Sequence, residues 1–167
     1  GDVYKRQQYI LGGTRSMTAI SYTMADVVLD ANILVGLLDG SDVLATRASE
    51  LLARLQASGS RPVLLDICVG EAVSVICRRS QQRKTNPPDI SAAVARIRAA
   101  AERGEIRFVA KESERLLPEI LSIVDATGGV VNFNDALLVA LQRAGDIDEV
   151  VSFDQGLDAA AGFRRIS

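Results

Sequence analysis

The feature that most constrains the fold is a rhythm. From Met24 onward, short apolar runs alternate with longer stretches of helical periodicity. Asp26 to Leu29 (DVVL), Pro62 to Leu65 (PVLL), Ile106 to Val109 and Glu149 to Phe153 are the right length for strands and too short for helices. A last short strand is expected near Phe163 to Ile166. Between these runs, Ile33 to Leu38 suits a short helix ended by the Asp39-Gly40 turn. Ser41 and Asp42 are expected to cap a second helix in which Leu44, Ala48, Leu51, Leu52 and Leu55 share one face. On its other face Arg47, Glu50 and Arg54 are spaced for i,i+3 and i,i+4 pairing, and Gly59 stops it. A third helix, beginning near Glu71, must end before Pro87-Pro88. Ile90, Val94, Ile97 and Ala101 mark a fourth, ended by Gly104. A helix through Leu116 and Leu121 is expected to kink or restart at Pro118, and Asn134 to cap a helix from Asp135 to Ala144. The β-α-α-β repeat predicts a three-layer α/β/α sandwich with a central parallel sheet and right-handed crossovers. In such sheets ligands bind outside the carboxyl ends of the strands.

The 167 residues are enough for one domain and too few for two ordinary ones. Residues 1–23 read as a separate, non-native or disordered extension: they lack sustained periodicity, carry all three tyrosines and show no signal-peptide pattern. Their opening, GDVYKRQ, resembles translated sequencing-adapter sequence, so the domain is expected to span 24–167 from Met24, with Met17 as the other start. No apolar stretch reaches the 18 or so residues of a membrane span. Cys68 and Cys77 are too few for a zinc ribbon or a disulfide framework, and two partly buried thiols suit a reducing cytoplasm.

The chain contains no histidine. That removes Ser-His-Asp and Cys-His triads, histidine general bases and the usual zinc and iron ligand sets. Chemistry must come from carboxylates, a hydroxyl with lysine, or a cofactor. Net charge is −2; without residues 1–23, where Asp2, Lys5, Arg6 and Arg15 lie, 16 basic and 20 acidic residues remain. Such a balance does not describe a generic nucleic-acid coat protein. It is compatible with a nuclease in which divalent cations offset a local acidic patch.

Four acids fall at one edge of the predicted sheet. Asp30 ends the first strand and Asp154 follows VVSF, while Glu71 and Asp135 open helices beside the second and fourth strands. A single acid at a strand end commonly caps the next helix. Four on one edge repel unless protons or cations neutralise them. Carboxylate oxygens are the ligands Mg²⁺ and Mn²⁺ prefer, and acids without histidine suit phosphodiester hydrolysis by metal-activated water. A glycosidase would use two carboxylates without needing a cluster.

The segments VVLDANIL, DICVGEAV, NFNDALLVA and VSFD, in this order and spacing, resemble the four signature segments of PIN domains over essentially Met24 to Ser167. The resemblance implies a Mg²⁺- or Mn²⁺-dependent nuclease with Asp30, Glu71, Asp135 and Asp154 as metal ligands. It also implies that Asn32 orders the site by hydrogen bonding and that Ser152 positions the fourth acid or a metal-bound water. Small bacterial members are commonly VapC-like toxins, so RNA as substrate, a cognate antitoxin and a homodimer are expected. The helices at 33–38 and 43–57 would then form the antitoxin's groove.

Other features stay open. Asp158 reads either as a fifth acid of the site or as the cap of a short helix, and Asp66 and Asp125 read as structural. The stretch Arg78 to Lys84 offers Arg78, Arg79, Arg83 and Lys84 either to an RNA backbone or to solvent at a helix end. Phe108, Phe133, Phe153 and Phe163 read as core, which leaves no base-stacking platform. Three alternatives to a toxin ribonuclease carry different signatures. A PIN nuclease of RNA processing would lack an antitoxin gene nearby. A metal-dependent phosphatase would want a second aspartate two residues beyond its nucleophile, where Asn32 stands. A silent PIN-like interaction module would lack the acids.

Overall fold

The computed structural model describes residues 26–167, so the expectation for residues 1–23 lies outside the described residues. Five strands form one parallel sheet: β1 (Asp26–Leu29), β2 (Arg61–Leu65), β3 (Ile106–Arg107), β4 (Glu149–Val151) and β5 (Arg165–Ile166). Their order is β3-β2-β1-β4-β5. Val28 stands beside Val63 on one side and Val150 on the other, and Leu29 beside Val151. Strand β1 is central, and Val27, Val28 and Leu29 are buried as a two-faced strand requires.

Helices flank this sheet, as the alternation predicts. They are α1 (Ala31–Leu38), α2 (Ala45–Ala57), α3 (Asp66–Gln82), α4 (Ile90–Glu102), α5 (Ala110–Ala126) and α6 (Phe133–Ala144), with a 3₁₀ turn at Gln155–Ala159. Helix α1 packs on α2 and α3, and α5 packs on α6. The approach of α1 to α2 requires Gly36, since a Cβ there would stand 2.9 Å from the Ala48 Cβ. Helix α6 is the most buried: Ala136 to Leu141 are buried without interruption, the pattern of a helix that is apolar all round. Gly145 ends it in the left-handed conformation at φ 75°.

Several boundaries differ from those expected. Helix α3 starts at Asp66, so Glu71 lies in its second turn and not at its opening. Asn132, not Asn134, caps α6, its side chain accepting the Asp135 N–H at 3.1 Å. Helix α5 runs through Pro118 without a break in the helical assignment. Ser41 does not cap α2; it bonds Asp39, while Asp42 accepts the Leu44 N–H at 2.6 Å one residue before the helix. Strand β3 stops at Arg107, so Phe108 turns out to solvent at 74% exposure, and Phe133 is also exposed. Phe153 and Phe163 do pack against the core.

Candidate active site

Order β2-β1-β4 makes β1 and β4 the two strands from which the chain departs in opposite directions. The crevice outside their carboxyl ends is the topological switch point, where ligands of open α/β sheets bind. A cavity of about 290 Å³ lies at these ends, lined by Asp30, Asn32, Glu71, Asn132, Asp135 and Asp154 among others. The structure therefore brings all four sequence-predicted acids to one pocket.

Each acid arrives by a different route. Asp30 follows β1 directly, and its N–H donates to Val151 O at 3.0 Å, which fastens it to the neighbouring strand. It is buried, and its Oδ1 accepts the Ala31 N–H at 2.6 Å as the cap of α1. Its Oδ2 accepts from Asn32 Nδ2 at 2.5 Å and from the Ser152 hydroxyl at 2.6 Å. Ser152, wholly buried, in turn accepts from Asn32 Nδ2 at 2.8 Å and from the Asp154 N–H at 3.0 Å. Asn32 Oδ1 closes the network by accepting the Phe153 N–H at 3.0 Å. Asn32 and Ser152 thus hold Asp30 and the backbone of Asp154 in one fixed arrangement. Asp154 is exposed, with Oδ1 on the Gly156 N–H at 2.7 Å.

Glu71 is half-buried, and its Oε2 accepts from Asn134 Nδ2 at 3.0 Å. Asn132 and Asn134 are the two site residues that sequence reasoning missed. The spacing Asn132-x-x-Asp135 is a capping signature that was available to find the first. Nothing local marks the second, because its partner is 63 residues away.

Crowding of these acids shows in their ionisation. Burial pushes the Asp30 carboxyl up; hydrogen bonds from Ser152 and Ala31 pull it back, and the charges of Glu71 and Asp154 raise it further. For Asp135, burial and then the charges of Asp30, Glu71 and Asp154 push the carboxyl up to about 7, against the Asn132 backbone N–H. Cys68, buried beside the same acids, is held well above the ordinary thiol range by burial and by Asp30, Glu71 and Asp135, so it carries no thiolate nucleophile.

An all-carboxylate donor set, in which Asp30 and Asp135 resist ionisation, fits a hard divalent cation in its chemistry. In geometry, among the described residues, no three acidic or thiol side chains stand as a ready ligand set. Asp30, Glu71 and Asp154 each turn an oxygen onto a donor of the chain itself, which leaves further lone pairs on every carboxylate.

Other expected residues are placed elsewhere. Asp158 is not brought to the pocket; both its oxygens take the Arg165 guanidinium at 2.8–3.0 Å. Of the basic run, Arg79 pairs with Asp39 and Asp42, and Arg83 with Asp39 and the Ser41 hydroxyl, because those buried acids of the α1–α2 loop need cations. Arg78 and Lys84 are exposed. Asp66 has a structural task, its Oδ1 accepting the Val109 N–H at 3.1 Å. The expected Arg47–Glu50 pair does not form among the described residues.

No curated protein matches the chain in sequence. Among the solved structures that share its fold are three that can be named. VapC20 of Mycobacterium tuberculosis, a sarcin–ricin loop cleaving toxin, is 22% identical with a TM-score of 0.58 over 84% of this chain and 98% of its own. VapBC2 from Rickettsia felis, bound to a DNA fragment from its promoter, is 15% identical with a TM-score of 0.57 over 84% and 97%. PAE2754 from Pyrobaculum aerophilum is 15% identical with a TM-score of 0.53 over 90% and 92%. In sequence, the model of the PIN domain matches residues 27–163, from the second residue of β1 past the last acid of the site. The chain belongs to the PIN-domain family.

Proposed function

We propose that the chain is a divalent-metal-dependent endoribonuclease and the toxin of a toxin–antitoxin pair. One observation carries the reading: Asp30, Glu71, Asp135 and Asp154 line a single pocket at the switch point of the sheet and repel one another there. In this reading the four acids hold Mg²⁺ or Mn²⁺, which when bound supplies polarisation of a phosphodiester and activation of water for its attack. The chain's own residues do the rest. Asn32 and Ser152 fix Asp30 and the Asp154 backbone, and Asn134 holds Glu71. Asp135, pushed up to about 7 by burial and by the other three acids, is the one that a bound cation would hold in its charged form.

The toxin role draws support from the two VapC-type relatives and from a second cavity. A groove of about 830 Å³ opens between α1, α2, β2 and α4, with Leu34, Leu37, Leu38, Leu52, Val63 and Ile97 in its walls. It includes the helices expected to receive an antitoxin, and its apolar walls suit the apolar face of a partner helix. A homodimer is supported by the apolar side chains of Leu117 and Leu121, exposed one turn apart on α5. No helix among the described residues is long and apolar enough to cross a membrane.

Cleavage of a mixed RNA pool by the purified full chain, with Mg²⁺ or Mn²⁺ against EDTA, tests the reading. Metal-dependent cuts that disappear in Asp30→Asn are expected. A folded protein that cuts no RNA under either metal sinks the nuclease. That outcome would leave a silent PIN-like module, against which the presence of all four acids speaks.

A further inference from the structure

A pocket walled by four acids repels a polyanion, so a ribonuclease built on it needs a cation at the rim that is not already neutralised. The run at 78–84 supplies none from Arg79 or Arg83, which serve Asp39 and Asp42. Arg165 lies within electrostatic reach of Asp154, but Asp158 and the Ser152 carbonyl occupy its guanidinium. Arg78 and Lys84 are exposed, but no ion pair, hydrogen bond or ring contact among the described residues ties them to a residue of the pocket, whereas Arg47 has such a tie. It stands in the first turn of α2, is exposed, and forms no ion pair among the described residues. Its guanidinium carbon lies over the Phe153 ring, 4.3 Å from the centroid. Phe153 lines the acidic pocket between Ser152 and Asp154, and Leu44, one helical turn before Arg47, lines it too. Two separate elements, the end of β4 and the start of α2, thus bring Arg47 to the mouth of the site.

We infer that Arg47, seated on Phe153, is the docking cation for the phosphate backbone of single-stranded RNA at this pocket, an inference that rests on the nuclease reading. A guanidinium lying over a ring engages it through its face and leaves its N–H donors, which lie in the guanidinium plane, for another group. A phosphate accepts two such donors side by side. The ring also restricts the side chain before substrate arrives, so less rotamer freedom is lost on binding. The contact is to backbone and not to base; it sets where the strand enters and not which sequence is cut.

The test is fluorescence anisotropy of the full chain with a labelled 2′-O-methyl RNA of mixed sequence in EDTA, across a salt series, paired with steady-state cleavage in Mn²⁺. Arg47→Ala should weaken binding about tenfold and lower the slope of log Kd against log salt by about 0.7–1, the signature of one lost phosphate contact. It should raise KM while kcat stays within about twofold. Arg47→Lys should keep the slope but not the full affinity, and Phe153→Leu should weaken binding with the charge still present. Arg47 is exposed, so melting temperature should not move; Arg47→Gln provides the same test with more of the stem retained. Unchanged affinity and slope in Arg47→Ala, while the parent binds and cuts RNA, would overturn this inference alone. A parent chain that neither binds nor cuts RNA overturns it together with the nuclease reading.

Discussion

Asp135 lies in the wall of the acidic pocket at 9% exposure, with its carboxyl pushed up to about 7 by burial and by Asp30, Glu71 and Asp154. In the unfolded chain the same group titrates near 3.8. Between these values the folded state binds a proton that the unfolded state has released, so stability falls as pH rises through the window. The stabilising effect of protonation is fully present below about 4 and is lost as pH passes 7. Asp135→Asn cannot ionise. In EDTA its stability relative to the parent should therefore grow from near zero at pH 4 to at most about 4 kcal/mol above pH 7, taking 1.36 kcal/mol per pKa unit. Urea melts of both proteins at several pH values measure the gap, and parallel curves across the window would show that Asp135 ionises normally. The same substitution removes an acid of the site, so RNA cleavage should be lost while stability rises. That pairing of opposite effects separates a functional acid from a structural one.

At the scale of elements, the α1–α2 loop is tied to the end of α3 by a compact ion-pair group. Asp39, at 1% exposure, accepts from Arg83 at 3.0 Å and from Arg79 at 3.2 Å, and Asp42 also pairs with Arg79. Burial raises the Asp39 carboxyl, but the Ser41 hydrogen bonds and then Arg79 and Arg83 outweigh it and hold the group below the ordinary aspartate range. Its contribution is therefore present at neutral pH and is lost only as pH falls below about 4. Arg79→Ala would leave Asp42 without its cation and Asp39 with one, at a cost of about 2–4 kcal/mol at pH 7. Thermal melts at pH 7 and at pH 3 should show that penalty shrinking in acid, and an equal penalty at both would mean that Arg79 acts by packing alone. This group explains why RRSQQRK reads ambiguously in sequence. The partners of Arg79 lie 37 and 40 residues earlier, beyond any local pattern. The strands and helices, by contrast, were legible because burial imposes a period on them. Where the period stops is less well marked: β3 ends two residues early and exposes Phe108, and the helix before the fourth strand starts two residues early, which exchanges the tasks of Asn132 and Asn134. Asp30 and Asp154 were legible because both follow strands and so fall on one sheet edge, although each also caps the helical turn after it, whereas the bond from Asn134 to Glu71 depends on how α3 and α6 meet.

At the scale of the whole molecule, Leu117 and Leu121 leave an apolar stripe on α5 at 42% and 55% exposure. Single exposed leucines are ordinary; a pair on one helix face is a surface that a second copy can cover. Leu121→Glu should convert a dimer into a monomer with little change in melting temperature of the isolated chain. Light scattering after gel filtration would read this, and an unchanged mass would place any dimer contact elsewhere. The order β3-β2-β1-β4-β5 has a consequence for when the acidic pocket forms. A ribosome releases the chain from its amino end, and the first half carries β1, β2, Asp30 and Glu71. The place beside β1 stays vacant until Glu149–Val151 has emerged to fill it. Ser152, which fastens Asp30, arrives with the same strand, as does Asp154. The acidic pocket is therefore completed only when the fourth strand reaches the sheet, because the hydroxyl that fastens Asp30 and the acid of Asp154 both travel with it.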